Sequence, residues 1–294
     1  MANAHDNTSE ELPAIVRISS DGSTSAQWLV VPALLVLGVF FLYPLGVMVF
    51  RSLADPSPAN YARFFESAVY LRSLLTTIWM SAAVTASCLI LGYPFAYALH
   101  RAQGLVRTVL WIAVLMPFWS SLLVRTYAWT VLLRDTGIIN YVLLTLGIID
   151  EPITLIGNKL AVLIGMSHVL LPFMVLPIMT SMIRIDPDLV AAAAGLGARP
   201  TKAFWRIFFP LSLPGVLAGC LLVFILSVGF YITPAILGGR TAFFSLLIVA
   251  QVNKLLDFGF GSTLALILLF VVLALVAVGS RFVPVRDLFG RGTA

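Results

Sequence analysis

The chain has 294 residues, of which 60% are hydrophobic and 11% are charged, with a mean hydropathy of +1.02 and a formal net charge of +5. Soluble domains carry about a quarter charged residues, so this composition excludes a water-soluble fold and indicates a protein of the lipid bilayer. The modest charge is explained by loop orientation and gives no reason to expect nucleic-acid binding.

The N-terminal segment is polar and contains several acids, Asp6 and Glu10 among them. A cleavable signal peptide needs a basic start and a short apolar core, so we expect none here. We predict instead a cytosolic tail over 1–27, one membrane domain over 28–282 and a second cytosolic tail over 283–294.

Six stretches are apolar enough to cross a bilayer, which takes about 20 apolar residues per helix. Lipid offers no partner for an unpaired backbone amide, so all six should be helices. The sequence therefore predicts an all-α membrane protein whose six transmembrane helices lie at about 28–50, 74–99, 105–133, 159–183, 211–237 and 260–282.

Several of these stretches contain prolines, for example Pro117, Pro172 and Pro234. Two interpretations are open. The prolines could be kinks that neighbouring helices tolerate, or they could bend helices around a cavity that changes shape.

Lysine and arginine near the ends of the stretches favour cytosolic termini, with ten basic residues on the inner side and seven on the outer side. In this orientation the outer loops, 51–73, 134–158 and 238–259, are the longer ones. They contain acids and turn residues, and they could receive a soluble partner.

The most distinctive segment is the basic loop 184–210 between the fourth and fifth stretches. An acidic start and four consecutive alanines predict a short helix over 189–196, which Gly197 can end in a left-handed conformation. Thr201 is the expected cap of a second short helix, which Pro210 is expected to stop. By composition alone, the two helices could also lie on lipid as interfacial helices.

The spacing of this loop resembles that of the loop by which membrane subunits of ATP-binding cassette (ABC) importers contact their ATPase. The family pattern is E-A-A, three residues, G, nine residues, I-x-L-P. Here Ala191–Ala193 is followed at the same intervals by Gly197 and by Ile207–Pro210. The chain departs from the pattern at Ala191, where the family has Glu, and at Phe209, where it has Leu. The resemblance implies ATPase contacts from Asp188, Ala191, Ala192, Ala193, Gly197, Ala198, Arg199 and Phe204.

Three further blocks, 117–140, 168–178 and 233–239, resemble the first of the two permeases in spermidine/putrescine-type importers. The resemblance implies the type I ABC importer permease fold and a heterodimer with a homologous second permease. It also implies a dimer of ATPase subunits that bind ATP and Mg, an extracytoplasmic solute-binding protein, and a small polar, polyamine-like solute.

A polyamine needs carboxylates or aromatic faces to replace its hydration. Family members often carry an acid directly after the glycine of the fifth stretch, where this chain has Phe230 after Gly229. Arg125, within the third stretch, could repel cations, bind an anionic group or extend to the interface, so an amino-acid-like or opine-like solute stays open. The candidate pathway residues are Phe118, Trp119, Arg125, Tyr127, Trp129, Phe230, Tyr231, Thr233 and Asp257.

The sequence contains no G-x-x-x-x-G-K-[ST] loop and no H-E-x-x-H motif, and its two cysteines, Cys88 and Cys220, lie in apolar stretches. We therefore expect no catalytic residues, metal site or cofactor in this chain, which is not an enzyme by itself. The alternative is a stand-alone secondary transporter or channel driven by an ion gradient. Such a protein usually carries buried acids or histidines in several spans, which this chain largely lacks.

Overall fold

The computed structural model describes residues 23–55 and 59–280, and the regular structure within them is entirely helical. Most of the two predicted tails, 1–27 and 283–294, lies outside the described residues. The helices are α1 (Ser23–Ala54), α2 (Ala59–Glu66), α3 (Ala68–Arg101), α4 (Gly104–Trp119), α5 (Leu122–Leu133), α6 (Ile138–Thr145), α7 (Lys159–Ile183), α8 (Pro187–Gly195), α9 (Pro200–Ala203), a π-helical turn (Phe204–Phe208), α10 (Phe209–Val228), α11 (Ile232–Leu237), α12 (Phe244–Asn253) and α13 (Phe258–Ser280).

The chain divides into two units, Met1–Val47 and Met48–Ala294. The described part of the first unit is helical and belongs to α1, which contains Pro32 and Pro44. The second unit contains all the other helices.

Five helices within the described residues are long and apolar enough to cross a membrane, and a bent pair supplies a sixth. They correspond one to one with the six predicted stretches. The three predicted outer loops each contain a short helix, α2, α6 or α12.

The third predicted span is broken. The helix axis turns by 104° between Gly104–Trp119 and Leu122–Thr145. Pro117 has no N–H to donate to the preceding turn. At the end of this helix, the Ser120 hydroxyl donates to the Pro117 carbonyl at 3.3 Å. A new helix then begins, with the amide of Arg125 donating to the carbonyl of Ser121. The prediction of one span over 105–133 was therefore wrong in its continuity.

The predicted stop at Pro210 was also wrong, because one helix runs without interruption over Pro200–Val228. Proline normally clashes with the carbonyl four residues earlier. Here the backbone widens into the π-helical turn, in which the amide of Phe209 donates to the carbonyl of Phe204 five residues back. Thr201 is not the cap, since Arg199 occupies that position.

The fifth span ends earlier than predicted. α10 stops at Val228, and the chain turns through Gly229 before α11 begins at Ile232. The predicted span over 211–237 is therefore two helices separated by a turn.

The core of the second unit lies between α3, α7 and α10. Lipid chains are as apolar as leucine, so such helices associate through close van der Waals packing at small residues. A Cβ atom at Gly215 of α10 would lie 2.6 Å from the carbonyl oxygen of Pro177 in α7. One at Gly219 would lie 2.8 Å from the sulfur of Met174. Glycine therefore lets these two helix backbones touch.

Gly215→Ala should destabilise the protein by about 1–3 kcal/mol, because the added methyl meets backbone, which cannot move aside as a flexible side chain can. Gly229→Ala is the matched control, since a Cβ there meets nothing within 4 Å. Thermal unfolding of the purified protein in detergent measures both variants. Equal melting temperatures would show that α7 and α10 are not packed as described.

Candidate coupling site and central cavity

The loop 184–210 is ordered by hydrogen bonds that cap α8 at both ends. The Asp186 carboxylate accepts a hydrogen bond from the amide of Asp188 at 2.9 Å, and Pro187 occupies the first turn. Gly197 has φ +81°, the left-handed conformation that the sequence predicted. The amide of Ala198 donates to the carbonyl of Ala193 at 3.0 Å, which closes the helix end.

The surface of α8 is exposed and apolar. Within this helix, all of whose residues are described, no side chain is fully buried. Leu189 is 48% exposed, and Leu196, just after the helix, is 90% exposed. Among the residues predicted to contact the ATPase, Asp188, Ala191, Ala192, Gly197 and Arg199 are exposed, whereas Ala193 and Ala198 are half-buried. This face is available for contact with another protein.

Phe204, the remaining predicted contact residue, packs inward against α3. Its ring lies 5.3 Å from that of Tyr97 and is stacked at 5.8 Å on that of Phe208. Phe208 also contacts Tyr97 and His100, at 5.4 Å each. Such aromatic pairs each contribute about 0.5–1.5 kcal/mol beyond area burial. The geometry therefore makes Phe204 an anchor between the loop and the membrane helices.

A cavity of about 710 Å³ separates α8 from the ends of α3 and α7. Its walls include Tyr97, His100 and Arg101 of α3, together with Ala191 and Phe204. α8 contacts α9 and the π-helical turn, and Val190 packs against the core, while the cavity leaves open space between the rest of α8 and the ends of α3 and α7.

A second cavity, of about 230 Å³, lies where the broken third span meets the middle of α7 and the end of α10. Three predicted pathway residues, Phe118, Arg125 and Phe230, line it. Non-helical backbone at membrane depth is tolerated where it lines a cavity or is buried in protein. The breaks at 120–121 and 229–231 both adjoin this cavity.

Arg125 is half-buried in the wall of this central cavity. Its Nε atom is buried and has no hydrogen-bond partner among the described residues. A buried, unpaired N–H favours a ligand atom that accepts a hydrogen bond.

The structure places the other predicted pathway residues outside the cavity. Trp119 is 90% exposed, and Tyr127 and Tyr231 are also exposed on the surface of the chain. Trp129 donates from Nε1 to Nδ1 of His168 at 3.3 Å, which gives this histidine a partner. These side chains are not brought together with Phe118.

Thr233 and Asp257 have structural partners. Thr233 is fully buried, and its hydroxyl lies 3.3 Å from that of Thr126. Asp257 forms an ion pair with Arg63 at 2.8 Å and accepts from the amide of Phe260 at the start of α13. Neither residue is in the cavity wall.

The cavity wall also contains five residues that the sequence did not single out, namely Leu122, Val169, Leu170, Phe173 and Leu226. They are ordinary apolar residues of a membrane helix, which carry no signal of their own. Pro117 and Pro172, two of the prolines noted in the sequence, line the cavity as well. The ring of the adjacent Phe173 contacts that of Phe118 at 5.1 Å, edge to face.

The family model described as "Binding-protein-dependent transport system inner membrane component" matches residues 88–283. The match covers both cavities and the whole of the α8–α10 element. The chain belongs to this family. It is thus a permease component of a binding-protein-dependent transport system, and the resemblance seen in its coupling loop is confirmed.

The permease is 36% identical over 250 residues to the spermidine/putrescine transport system permease protein PotB of Salmonella typhimurium (strain LT2), covering 83% of this chain and 86% of that protein. PotB of Escherichia coli (strain K12) is 35% identical over 250 residues, with 83% and 90% of the two chains covered. The predicted similarity to the first permease of such systems is confirmed.

A solved structure with the same fold is that of a bacterial ABC transporter involved in the import of alginate. It has a TM-score of 0.69 at 15% identity and covers 88% of this chain and 96% of that chain. The all-α, type I importer permease fold is therefore confirmed. Membership of a family of binding-protein-dependent components also overturns the alternative of a stand-alone transporter or channel.

Phe118 and Trp119 are adjacent, yet one lines the cavity and the other does not, which allows a direct test. In a background without Cys88 and Cys220, Phe118→Cys should react about tenfold faster than Trp119→Cys with a water-soluble methanethiosulfonate reagent. The reactive thiolate forms in contact with water, and we expect water in the cavity at position 118 and lipid or packed protein at position 119. The reverse order of rates would show that Trp119, and not Phe118, faces the aqueous path.

Proposed function

We propose that this permease is one of two homologous membrane subunits of an ATP-driven importer that carries a polyamine into the cytoplasm. The observation that carries the proposal is its identity of 36% over 83% of the chain with PotB, named as a spermidine/putrescine permease. The further subunits would be a second permease, a dimer of ATPase subunits that binds ATP and Mg, and an extracytoplasmic solute-binding protein.

In the proposed orientation, both termini and the α8–α10 element face the cytosol. Arg184, Arg199, Lys202 and Arg206 concentrate positive charge in this loop, which favours the cytosolic side. The exposed, apolar α8 would occupy a cleft in the ATPase. Nucleotide-driven closure of the ATPase would then displace α8.

The continuity of α9 with α10 and the aromatic contacts of Phe204 and Phe208 would carry that displacement to the solute. α9, the π-helical turn and α10 form one helix, so a push on α9 moves α10 directly. Phe204 and Phe208 link the same movement to α3 through Tyr97. The broken helices around the central cavity would absorb the change, opening the cavity alternately to either side of the membrane.

Within the cavity, Phe118, Phe173 and Phe230 offer aromatic faces to a cationic solute. Arg125 favours a second candidate, a solute with an anionic group, such as an amino-acid-like or opine-like compound. The residues described in the cavity wall include no carboxylate that would balance this arginine. ATP-dependent uptake of radiolabelled spermidine and putrescine into proteoliposomes, with amino acids as competitors, distinguishes the two solute classes.

The assembly itself is tested by purifying the tagged permease in mild detergent from its own host. We expect a Walker-motif ATPase and a second permease to co-purify. Recovery of the chain alone, with uptake that does not require ATP, would contradict the proposal.

Gly195 and Gly197 give a matched test of the coupling element. Gly197→Ala should lower uptake while ATP hydrolysis continues, because a non-glycine residue at φ +81° costs about 1–2 kcal/mol and displaces the end of α8. Gly195 lies in regular helix with open space around it. Gly195→Ala should therefore be neutral or stabilise α8 by up to about 1 kcal/mol. The ratio of solute taken up to ATP hydrolysed is the measurement. An unchanged ratio in Gly197→Ala would remove the coupling role from this turn.

A further inference from the structure

A pocket of about 460 Å³ lies at the N-terminal ends of α3 and α7. Its walls carry three cationic side chains from three separate segments: Arg72 of α3, Lys159 at the start of α7, and Arg240 between α11 and α12. All three are exposed. The positive ends of two helix dipoles add to the same field.

This pocket is on the opposite membrane face from the coupling element. The C-terminal ends of α3 and α7, at Arg101 and Ile183, line the cavity behind α8. α7 has 25 residues and is about 38 Å long at about 1.5 Å per residue, which is enough to cross the hydrocarbon core. Lys159 and Arg72, near the other ends of these helices, therefore lie at the outer surface.

Hydrogen bonds between its walls hold the pocket together. The Ser73 hydroxyl donates to the carbonyl of Ala242 at 2.9 Å, and the amide of Phe244 donates to the Thr77 hydroxyl at 2.8 Å. On the other side, the amide of Gly157 donates to the carbonyl of Leu237 at 3.1 Å. These bonds fix the segment that carries Arg240 to α3 and to the start of α7.

The three cations have no counter-charge of their own. Within residues 23–55 and 59–280, the ion pair that forms is Arg63–Asp257, and it does not involve the pocket. Like charges converging on one concavity repel one another, and an anion placed among them relieves that repulsion. The pocket therefore favours an anionic occupant, and a cationic solute would be excluded from it.

We infer that this pocket is the electrostatic docking site for an acidic surface of the solute-binding protein, whose carboxylates enter between Arg72, Lys159 and Arg240. The inference rests on the proposed function and names where its soluble partner binds. The chain belongs to a family that depends on a binding protein. A rim of exposed charges suits such a transient partner, because it accelerates encounter without holding the complex permanently.

The test uses the full complex in nanodiscs, with the solute-loaded binding protein of the same system titrated against ATP hydrolysis. Each of Arg72→Gln, Lys159→Gln and Arg240→Gln should raise the half-stimulating concentration about twofold to fivefold, and the triple variant about tenfold or more. The wild-type value should rise between about 50 and about 300 mM NaCl, and the triple variant should lose most of this dependence. Lys254→Gln, an exposed lysine outside the pocket, is the control and should behave as wild type.

The outcomes separate the two proposals. If the binding protein does not stimulate the wild-type complex, the proposed function fails and the docking site with it. If it stimulates wild type and triple variant equally, with the same salt dependence, the docking site alone fails. An anionic lipid headgroup could occupy the pocket in place of the binding protein. Repeating the titration in nanodiscs of neutral and of anionic lipid tests for it. A difference between wild type and triple variant that appears only with anionic lipid assigns the pocket to a lipid headgroup and overturns the inference.

Discussion

The contact of the α10 backbone with the α7 backbone is the constraint on which the rest of the molecule depends. At Gly215 the backbone of α10 lies directly against that of α7, and at Gly219 it lies against Met174, so no side chain of α10 separates the two helices. α10 is also the direct continuation of α9, with the π-helical turn between them. In the proposed function, a force applied to α9 would therefore reach α10 along one helix. The π-helical turn between them is the place where this helix can bend, since its hydrogen bonds are already rearranged.

The helix from α9 to α10 is continuous, whereas the helices around the central cavity are broken. The third span breaks after Trp119 and the fifth ends at Val228, and residues flanking both breaks, Phe118 and Phe230, face the same space. A break exposes backbone groups that lipid cannot satisfy, so it is retained at membrane depth where protein or water can satisfy them. This distribution, with a continuous helix near the coupling element and broken helices around the cavity, fits the alternating access of the proposed function.

The sequence predicted the features that depend on composition, such as the membrane spans, and those that need an unusual backbone conformation, such as the turn at Gly197. Hydropathy located every span, and Gly197 was recognisable because the left-handed conformation favours glycine there. Pro210 misled, because its usual effect is to end a helix, and a single widened turn avoids the clash. The direction of a side chain beside a break could not be predicted: Phe118 and Trp119 are neighbours at the end of α4, yet Phe118 lines the cavity and Trp119 does not. The convergence of Arg72, Lys159 and Arg240 depends on packing between distant segments, which one sequence does not reveal.

Ala191, which stands where the family pattern has glutamate, makes the surface of α8 more apolar. Asp186 is occupied as the cap of α8, and apart from the exposed carboxylate of Asp188 the exposed residues along this helix are mostly alanine and other apolar residues. In the proposed assembly, contact of α8 with the ATPase would therefore depend on apolar burial, which salt weakens little and which suits a permanent subunit. The pocket at Arg72, Lys159 and Arg240, which is on the outer side in the proposed orientation, presents the opposite chemistry. Its three cations are exposed, and their attraction to a partner is screened by salt and suits repeated docking and release. The two membrane faces of the permease thus differ in the kind of interaction they offer, in keeping with a lasting partner on one side and a transient one on the other.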